Sequence, residues 1–185
     1  MGEERVVLLD DDGQPIGSMA KSEVHGPNTL LHQAFSLYVF DTEGRLLVTR
    51  RALGKPTWAG TWTNSCCGHP APGEAVVEAA HRRLGQELGL EAGALEPVLP
   101  SFSYRAVSPE GLVENERCPV YTAVVDRDPQ PDPAEVVQWR WEPWQAFVAL
   151  TRTSPWAVSP WSVLQVAQLT ERALEPPRTL ARQGA

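Results

Sequence analysis

Between residues 68 and 90, a loop built from Gly68, Pro70, Pro72 and Gly73 runs into a segment where Val76, Ala80, Leu84 and Leu88 recur every four positions, closed by Gly89. That spacing lines the four side chains along one stripe of an α-helix, and a glycine just beyond the last can take the left-handed conformation that ends it. The spacing predicts a helix over 74–88 whose apolar stripe must be covered by something else. What surrounds it reads as short strands. Residues 5–9 and 15–19 flank Asp10, Asp11, Asp12 and Gly13, an opening hairpin. Residues 35–40 and 46–49 flank Asp41, Thr42, Glu43 and Gly44, a second hairpin. Further strands are expected over 61–67, 98–105, 112–125 with a break at Pro119, and 136–141, and further helices over 144–150 and 161–174. Residues 21–32, with Gly26, Pro27 and Asn28, read as a loop. Strands outnumber helices without alternating strictly with them, which favours an α+β fold, a mixed sheet between helical layers, over a doubly wound parallel sheet. A chain of 185 residues fits one domain, expected over 1–175, with 176–185 as a mobile tail.

Charge and cysteine usage narrow the function. A formal charge of -7 argues against holding nucleic acid or anionic lipid by counterion release, so an anionic substrate would need a local basic cluster. The two lysines, Lys21 and Lys55, are candidates for it. No apolar run approaches the ~20 residues of a membrane span, and the first residues are acidic where a secretory signal would be basic, so a cytoplasmic protein is expected. Cys66, Cys67 and Cys118 suit neither a disulfide framework nor a CxxC zinc site and read as reduced thiols. A monomer is the expectation for its assembly.

Three groups of residues suggest chemistry. On the predicted helix Glu87 lies beside Leu84 and Leu88, at the border of the apolar stripe, where a charge is costly unless paired or metal-bound. An ion pair with Arg83 at i, i+4 and a magnesium ligand are both open readings. In a strand, Glu114 and Glu116 share one face, so they either meet water or share a cation. His25 and His32 flank the Gly26-Pro27 loop and His69 follows Gly68. With the two glutamates they make a donor set suited to six-coordinate manganese, magnesium or zinc.

The segment from Gly68 through Glu74 to Arg82, Leu84, Glu87, Gly89 and Leu90 resembles the Nudix box, G-x5-E-x7-R-E-U-x-E-E-x-G-U, U being a bulky aliphatic residue. Arg83 and Gln86 stand where that box has glutamates. The blocks Val48-Thr49-Arg50-Arg51-Ala52, Trp62-Thr63-Asn64-Ser65-Cys66-Cys67-Gly68-His69-Pro70, Glu114-Asn115-Glu116 and Ser159-Pro160-Trp161 are similar, in order and spacing, to type I isopentenyl-diphosphate isomerases. That resemblance implies a Nudix-type α/β/α sandwich and the interconversion of isopentenyl and dimethylallyl diphosphate. It implies Cys67 and Glu116 as the proton-transfer pair, and Tyr104 and Trp161 as walls of the pocket, with Tyr104 able to exchange a proton with Glu116. It implies His25, His32, His69, Glu114 and Glu116 as ligands of a manganese, magnesium or zinc ion, and Glu87 as holder of a magnesium that also touches the substrate. Lys21, Arg51, Lys55 and Arg83 match the diphosphate-binding positions.

Moving an unactivated double bond passes through a tertiary carbocation or something close to it. Such a site must exclude water and stabilise positive charge, and aromatic faces do both. The main rival reading is a Nudix hydrolase of a nucleoside or other small diphosphate. The missing box glutamates count against it, because hydrolysis gathers several divalent ions around the attacked phosphate. A zinc-binding module would account for the histidines but not for the basic residues.

Overall fold

The structure is a computed structural model and describes residues 4–177. The opening hairpin forms as expected, β1 (Arg5–Leu9) pairing antiparallel with β2 (Pro15–Ala20). The segment read as a loop over 21–32 contains one helical turn, α1 (Lys21–Val24), and a two-residue strand, β3 (His32–Gln33). Elements this short carry no periodicity, and β3 exists because partners on both sides hold it. The second hairpin joins β4 (Phe35–Phe40) to β5 (Arg45–Arg51). Its turn is fixed by Asp41 Oδ1, which accepts the backbone N–H groups of Glu43 and Arg45 at 2.9 and 2.8 Å.

The strand expected over 61–67 is two strands, β6 (Trp62–Thr63) and β7 (Cys66–Gly68). The chain changes partner between them, β6 pairing with β5 and β7 with β4. Polar side chains make the switch: Asn64 donates to Leu37 O at 3.1 Å and Ser65 to Leu47 O at 2.6 Å. The predicted helix is α2 (Val76–Leu88), ended by Gly89 at φ 62°. One strand over 98–105 was expected, but a turn after Leu99 splits it into β8 (Glu96–Leu99) and β9 (Ser103–Val107). Pro119 separates β10 (Val113–Arg117) from β11 (Val120–Val124), because it has no N–H for a ladder. β12 (Val136–Pro143), α3 (Trp144–Thr153), a 3-10 turn (Pro155–Ala157) and α4 (Pro160–Glu171) complete the chain. The tail expected over 176–185 falls mostly on 178–185, outside the described residues.

The strands form two sheets. One has the order β2-β1-β3-β10-β9; the other, β12-β5-β4-β11-β8, carries β6 and β7 on β5 and β4. Both are mixed: β3 with β10 and β4 with β11 run parallel, the other pairs antiparallel. The larger sheet is the middle of an α/β/α sandwich. Along β4, Phe35, Leu37 and Val39 pack with Ala80, Leu84 and Leu88 of α2, while Tyr38 and Phe40 pack with Trp144 and Phe147 of α3 and Trp161 and Leu169 of α4. A strand buried on both faces reads as a continuous apolar run, which residues 35–40 very nearly are. Burying one leucine such as Leu84 contributes about 1.5–3 kcal/mol.

Close packing constrains both ends of the box segment. Gly68 is closely covered: a Cβ there would lie 3.1 Å from Arg83 Cγ and from the Phe35 ring, so glycine lets Arg83 lie flat across β7. The proline-bearing segment after β11 docks on the end of α2, with Gln130 N–H on Leu88 O at 2.7 Å and Asp132 N–H on Glu87 O at 2.9 Å. A Cβ on Gly89 would meet Gln130 O at 3.0 Å, a second reason for glycine there. No helix among the described residues is long and apolar enough to cross a membrane.

Candidate active site

The first parallel pairing builds the site's centre. β10 lies between β3 and β9, with Glu116 opposite His32 on one side and Tyr104 on the other. These three side chains therefore stand in one row across three strands. His25, just after α1, and His69, just after β7, close on His32 from either end; the ring centroids lie 5.2 to 6.1 Å apart and one nitrogen from each ring falls within 4.8 Å of the others. His69 is drawn in by its own loop, because Arg82 binds Glu74 at 2.7 Å and reaches His69 O at 3.3 Å. Two residues of the box thus fasten the histidine loop to α2.

Glu114 and Glu116 are both buried, which removes the reading of a solvated strand face. Their surroundings differ. Glu116 Oε1 lies 3.1 Å from His69 Nε2 and 3.6 Å from His32 Nε2. Burial alone would raise its pKa, but the imidazoles of His32 and His69 outweigh burial and hold it well below the ordinary carboxylate value. Glu114 accepts from Thr57 Oγ1 at 2.7 Å and from the Tyr104 hydroxyl at 2.6 Å. Burial and the neighbouring Glu116 charge raise Glu114 above its ordinary value in spite of those bonds. The exchange of a proton between Tyr104 and Glu116, expected from the sequence, is not the contact formed: the hydroxyl is committed to Glu114.

The imidazoles fit a metal on an observation internal to the site. His32 Nδ1 donates to Leu30 O at 2.9 Å and its buried Nε2 has no hydrogen-bond partner; burial lowers the ring's pKa but Glu116 outweighs it and raises the pKa, and in the neutral form of the ring the lone pair sits on Nε2. His69 Nδ1 is likewise buried without a hydrogen-bond partner. Orphaned buried nitrogens are costly unless something outside the chain satisfies them, and imidazole fixed by a carbonyl on its other nitrogen is the usual state of a metal ligand. Burial, helped by His69 and His32, lowers His25 to about 4, so it is neutral at pH 7. Burial also lowers His69, and its contact with Glu116 does not overcome that.

One cavity adjoins this cluster. Cys67, Tyr104, Trp161 and Glu116 line it together with Lys21, Arg51, Lys55, Arg83 and Glu87. The four cations do meet on one cavity, and three of them have acidic counterparts there, of which the sequence reading had named Glu87 but not Glu4 or Glu135. Lys55 pairs with Glu135, Arg83 with Glu87 and, at 3.1 Å, with Glu135, and Lys21 with Glu4 at 2.7 Å. The ion pair open as one reading of Glu87 therefore forms, yet both partners are buried and face the cavity instead of solvent. Burial raises Glu87, opposed by Arg83 and reinforced by Glu135. Arg51 donates to Thr57 O at 3.1 Å and lies over the Trp161 ring, 5.4 Å from its centroid.

The two adjacent cysteines part as an extended strand requires. Both adjoin the cavity, but Cys66 is buried in the core with α2, whereas Cys67 is half-buried and packs on the opposite side of the sheet. Ser36 Oγ lies 3.3 Å from Cys67 Sγ, and Asn64 meets the sulfur with both ends of its amide, each at 3.3 Å. Burial pushes the Cys67 thiol up to about 12 against those two hydrogen-bonding partners.

A NUDIX domain model matches residues 30–162. An isopentenyl-diphosphate Delta-isomerase of Frankia alni is 56% identical over 171 residues, covering 92% of this chain and 88% of that protein. A protein of the same name from Agromyces mediolanus is 58% identical, covering 90% of this chain and 80% of its own length. The chain belongs to the isopentenyl-diphosphate Delta-isomerase family of Nudix proteins. Among solved structures a Deinococcus radiodurans protein superposes with a TM-score of 0.70 at 20% identity, covering 89% of this chain and 98% of that one. At that identity the likeness shows the fold alone.

For a member of the isopentenyl-diphosphate Delta-isomerase family, the departures from the Nudix box have a visible consequence. Arg83 occupies the cavity wall where the box would have a glutamate, and Gln86 lies within 3.5 Å of both Arg82 and Arg83. Cationic and amide groups replace carboxylates at the place where hydrolases collect metal. Sequence reasoning missed Thr57, Ser36, Asn64 and Glu135. Of these only Asn64 lay inside a block already recognised; the others are ordinary surface or strand residues until the fold brings them to the cavity.

Proposed function

We propose that this chain interconverts isopentenyl and dimethylallyl diphosphate, with Cys67 and Glu116 moving the two protons. The observation that supports the reading is one cavity lined by a hydrogen-bonded thiol, a histidine-flanked carboxylate and four cations. The substrate carries the matching pair of groups, a small alkene and a diphosphate. Lys21, Arg51, Lys55 and Arg83 bind the diphosphate, Lys21, Lys55 and Arg83 exchanging their present carboxylate partners for phosphate oxygens. Glu87 holds a magnesium ion there, and Glu135 stands next to it as a second carboxylate.

With the diphosphate held by the cations, the alkene meets Cys67, Glu116 and Trp161, which line the same cavity. One proton is added to the terminal alkene carbon and one is removed from C2, so the overall charge of the substrate is unchanged. In the empty cavity the thiol of Cys67, pushed up to about 12, keeps its proton at pH 7, while Glu116 is ionised. A proton shift needs that starting condition, one loaded partner and one empty. Trp161, packed edge-on by Trp58 at 5.4 Å and approached by Tyr104 at 6.0 Å, offers an aromatic face to the cationic intermediate and keeps water away. His25, His32, His69, Glu114 and Glu116 hold manganese, magnesium or zinc; Glu114 can join because each carboxylate oxygen keeps a second lone pair after accepting from Thr57 or Tyr104. Such an ion supplies fixed positive charge that tunes the acidity of Glu116.

The setting is the cytoplasm, and the partner is the small diphosphate itself. Incubation with isopentenyl diphosphate and magnesium in deuterated water, followed by NMR, tests the reading. Dimethylallyl diphosphate carrying solvent deuterium should appear while phosphate and pyrophosphate stay at background. Steady phosphate release from nucleoside diphosphates without an allylic product would establish the hydrolase instead.

A further inference from the structure

Asn64 has no accessible surface and sits at the switch between β6 and β7. Its amide is crowded with partners. Oδ1 is reached by Trp161 Nε1 at 3.0 Å, Ser162 Oγ at 3.1 Å, Thr63 Oγ1 at 2.9 Å and Cys67 Sγ at 3.3 Å. Nδ2 reaches Leu37 O and Cys66 O at 3.1 Å each and Cys67 Sγ at 3.3 Å. An indole nitrogen only donates and a carbonyl only accepts, so Trp161 must face the oxygen and Leu37 and Cys66 must face the nitrogen. The amide therefore has one possible orientation. Backbone carbonyls of two strands anchor one end, and the other end is committed to the indole.

We propose that Asn64 is a positioning residue of this site: one buried amide fixes both the Cys67 thiol and the Trp161 indole relative to the cavity. The inference rests on the proton-transfer reading above and adds a residue to it. Cys67 and Trp161 belong to β7 and α4, on different parts of the chain, and Asn64 bridges them. A cysteine side chain turns about one bond among three staggered positions, and Ser36 touches the sulfur from another side without reaching the indole. Asn64 is the residue that couples the two. The partners of its amide are Leu37, Thr63, Cys66, Cys67, Trp161 and Ser162, none of them a cation for the diphosphate. Loss of Asn64 should therefore misplace the reacting groups without weakening the hold on the diphosphate.

The test compares wild type, Asn64→Leu, Trp161→Phe and the double variant in steady-state isomerisation of isopentenyl diphosphate, with thermal unfolding recorded for each. A misplacement of about 1 Å costs roughly 10²-fold in rate, so Asn64→Leu should lose about that factor in kcat with KM changed by less than about threefold. The loss should be smaller in the Trp161→Phe background, where the indole bond is already absent, because residues acting through a shared partner are not additive. Unchanged kcat, equal effects on kcat and KM, or full additivity would each overturn the proposal. If Asn64→Leu does not fold, Asn64→Asp keeps the oxygen for Trp161 and removes the N–H groups from the sulfur. It should lower kcat at constant KM, and a wild-type kcat would overturn the proposal as well. A wild-type chain that fails to isomerise would instead sink the functional reading, an outcome distinct from active enzyme indifferent to Asn64.

Discussion

Tyr104 donates its hydroxyl hydrogen bond to Glu114 at 2.6 Å, although its direct neighbour across β9 and β10 is Glu116. The two glutamates are thereby sorted into different states, Glu114 wrapped by hydroxyls and Glu116 by imidazoles. A neutral donor on a buried carboxylate contributes about 1.5–3 kcal/mol. Tyr104→Phe should lower stability by that amount in urea denaturation at pH 7. A change below about 0.5 kcal/mol would mean the bond is replaced by water and contributes little.

Cys67 and Cys66 should separate cleanly. Cys67→Ala should lower isomerisation about 10²–10⁴-fold, the usual worth of a positioned acid or base, while still binding metal and diphosphate. Cys66→Ala should stay active and lose stability, because its sulfur fills core beside α2. Equal and small losses would show that neither thiol transfers the proton.

Metal should be needed for turnover and should also be visible without it. Chelation should abolish isomerisation, and adding manganese or zinc to the chelated protein should raise its melting temperature, by the equivalent of about 2.7 kcal/mol at a hundredfold excess over Kd. His32→Gln should remove most of that shift, since its Nε2 is one of the two orphaned nitrogens. Glu87→Gln should weaken magnesium-dependent diphosphate binding more than folding. Full turnover in excess chelator, after verified metal removal, would refute the dependence.

Glu135 sets a pH dependence of stability. Burial would raise its pKa, but the bonds and charges of Lys55 and Arg83 outweigh burial and depress it below the ordinary 4.5. A carboxylate depressed in the folded state releases its proton more readily there than in the unfolded chain, so it stabilises above 4.5 and loses that effect as pH falls through its folded value. Wild type should therefore exceed Glu135→Gln by a constant margin at neutral pH, and the margin should shrink toward pH 3. A margin that stays level or grows on acidification would contradict this sign.

What the sequence disclosed depends on how far each signal reaches along the chain. α2 was legible because its stripe repeats within thirteen residues, and β4 because burial on both faces leaves an unbroken apolar run. β3 was not, since a strand of two residues is specified by β1 and β10. Cys67, His69, Glu114 and Glu116 were legible through the blocks around Cys67 and Glu116, and the fold brings these four to one cavity. The groups opposing the cations were not: Glu4 and Glu135 lie far from Lys21 and Arg83 in sequence, and only tertiary packing pairs them. Likewise, nothing local to Tyr104 announces that Glu114 will take its hydroxyl.

The segment between β11 and β12 has three prolines, an acidic surface and no regular structure, the features that ordinarily mark a place where families lengthen or shorten without harm. Here it is clamped at both ends, by Gln130 and Asp132 on the last residues of α2 and by Glu135 O on the N–H of Ala52. Its span works as a fixed gauge between the end of the helix and the carboxylate that meets Lys55 and Arg83. An insertion between Asp132 and Glu135 would shift that carboxylate relative to both cations, so the pairing depends on the length of this short stretch and not on the residues between its ends.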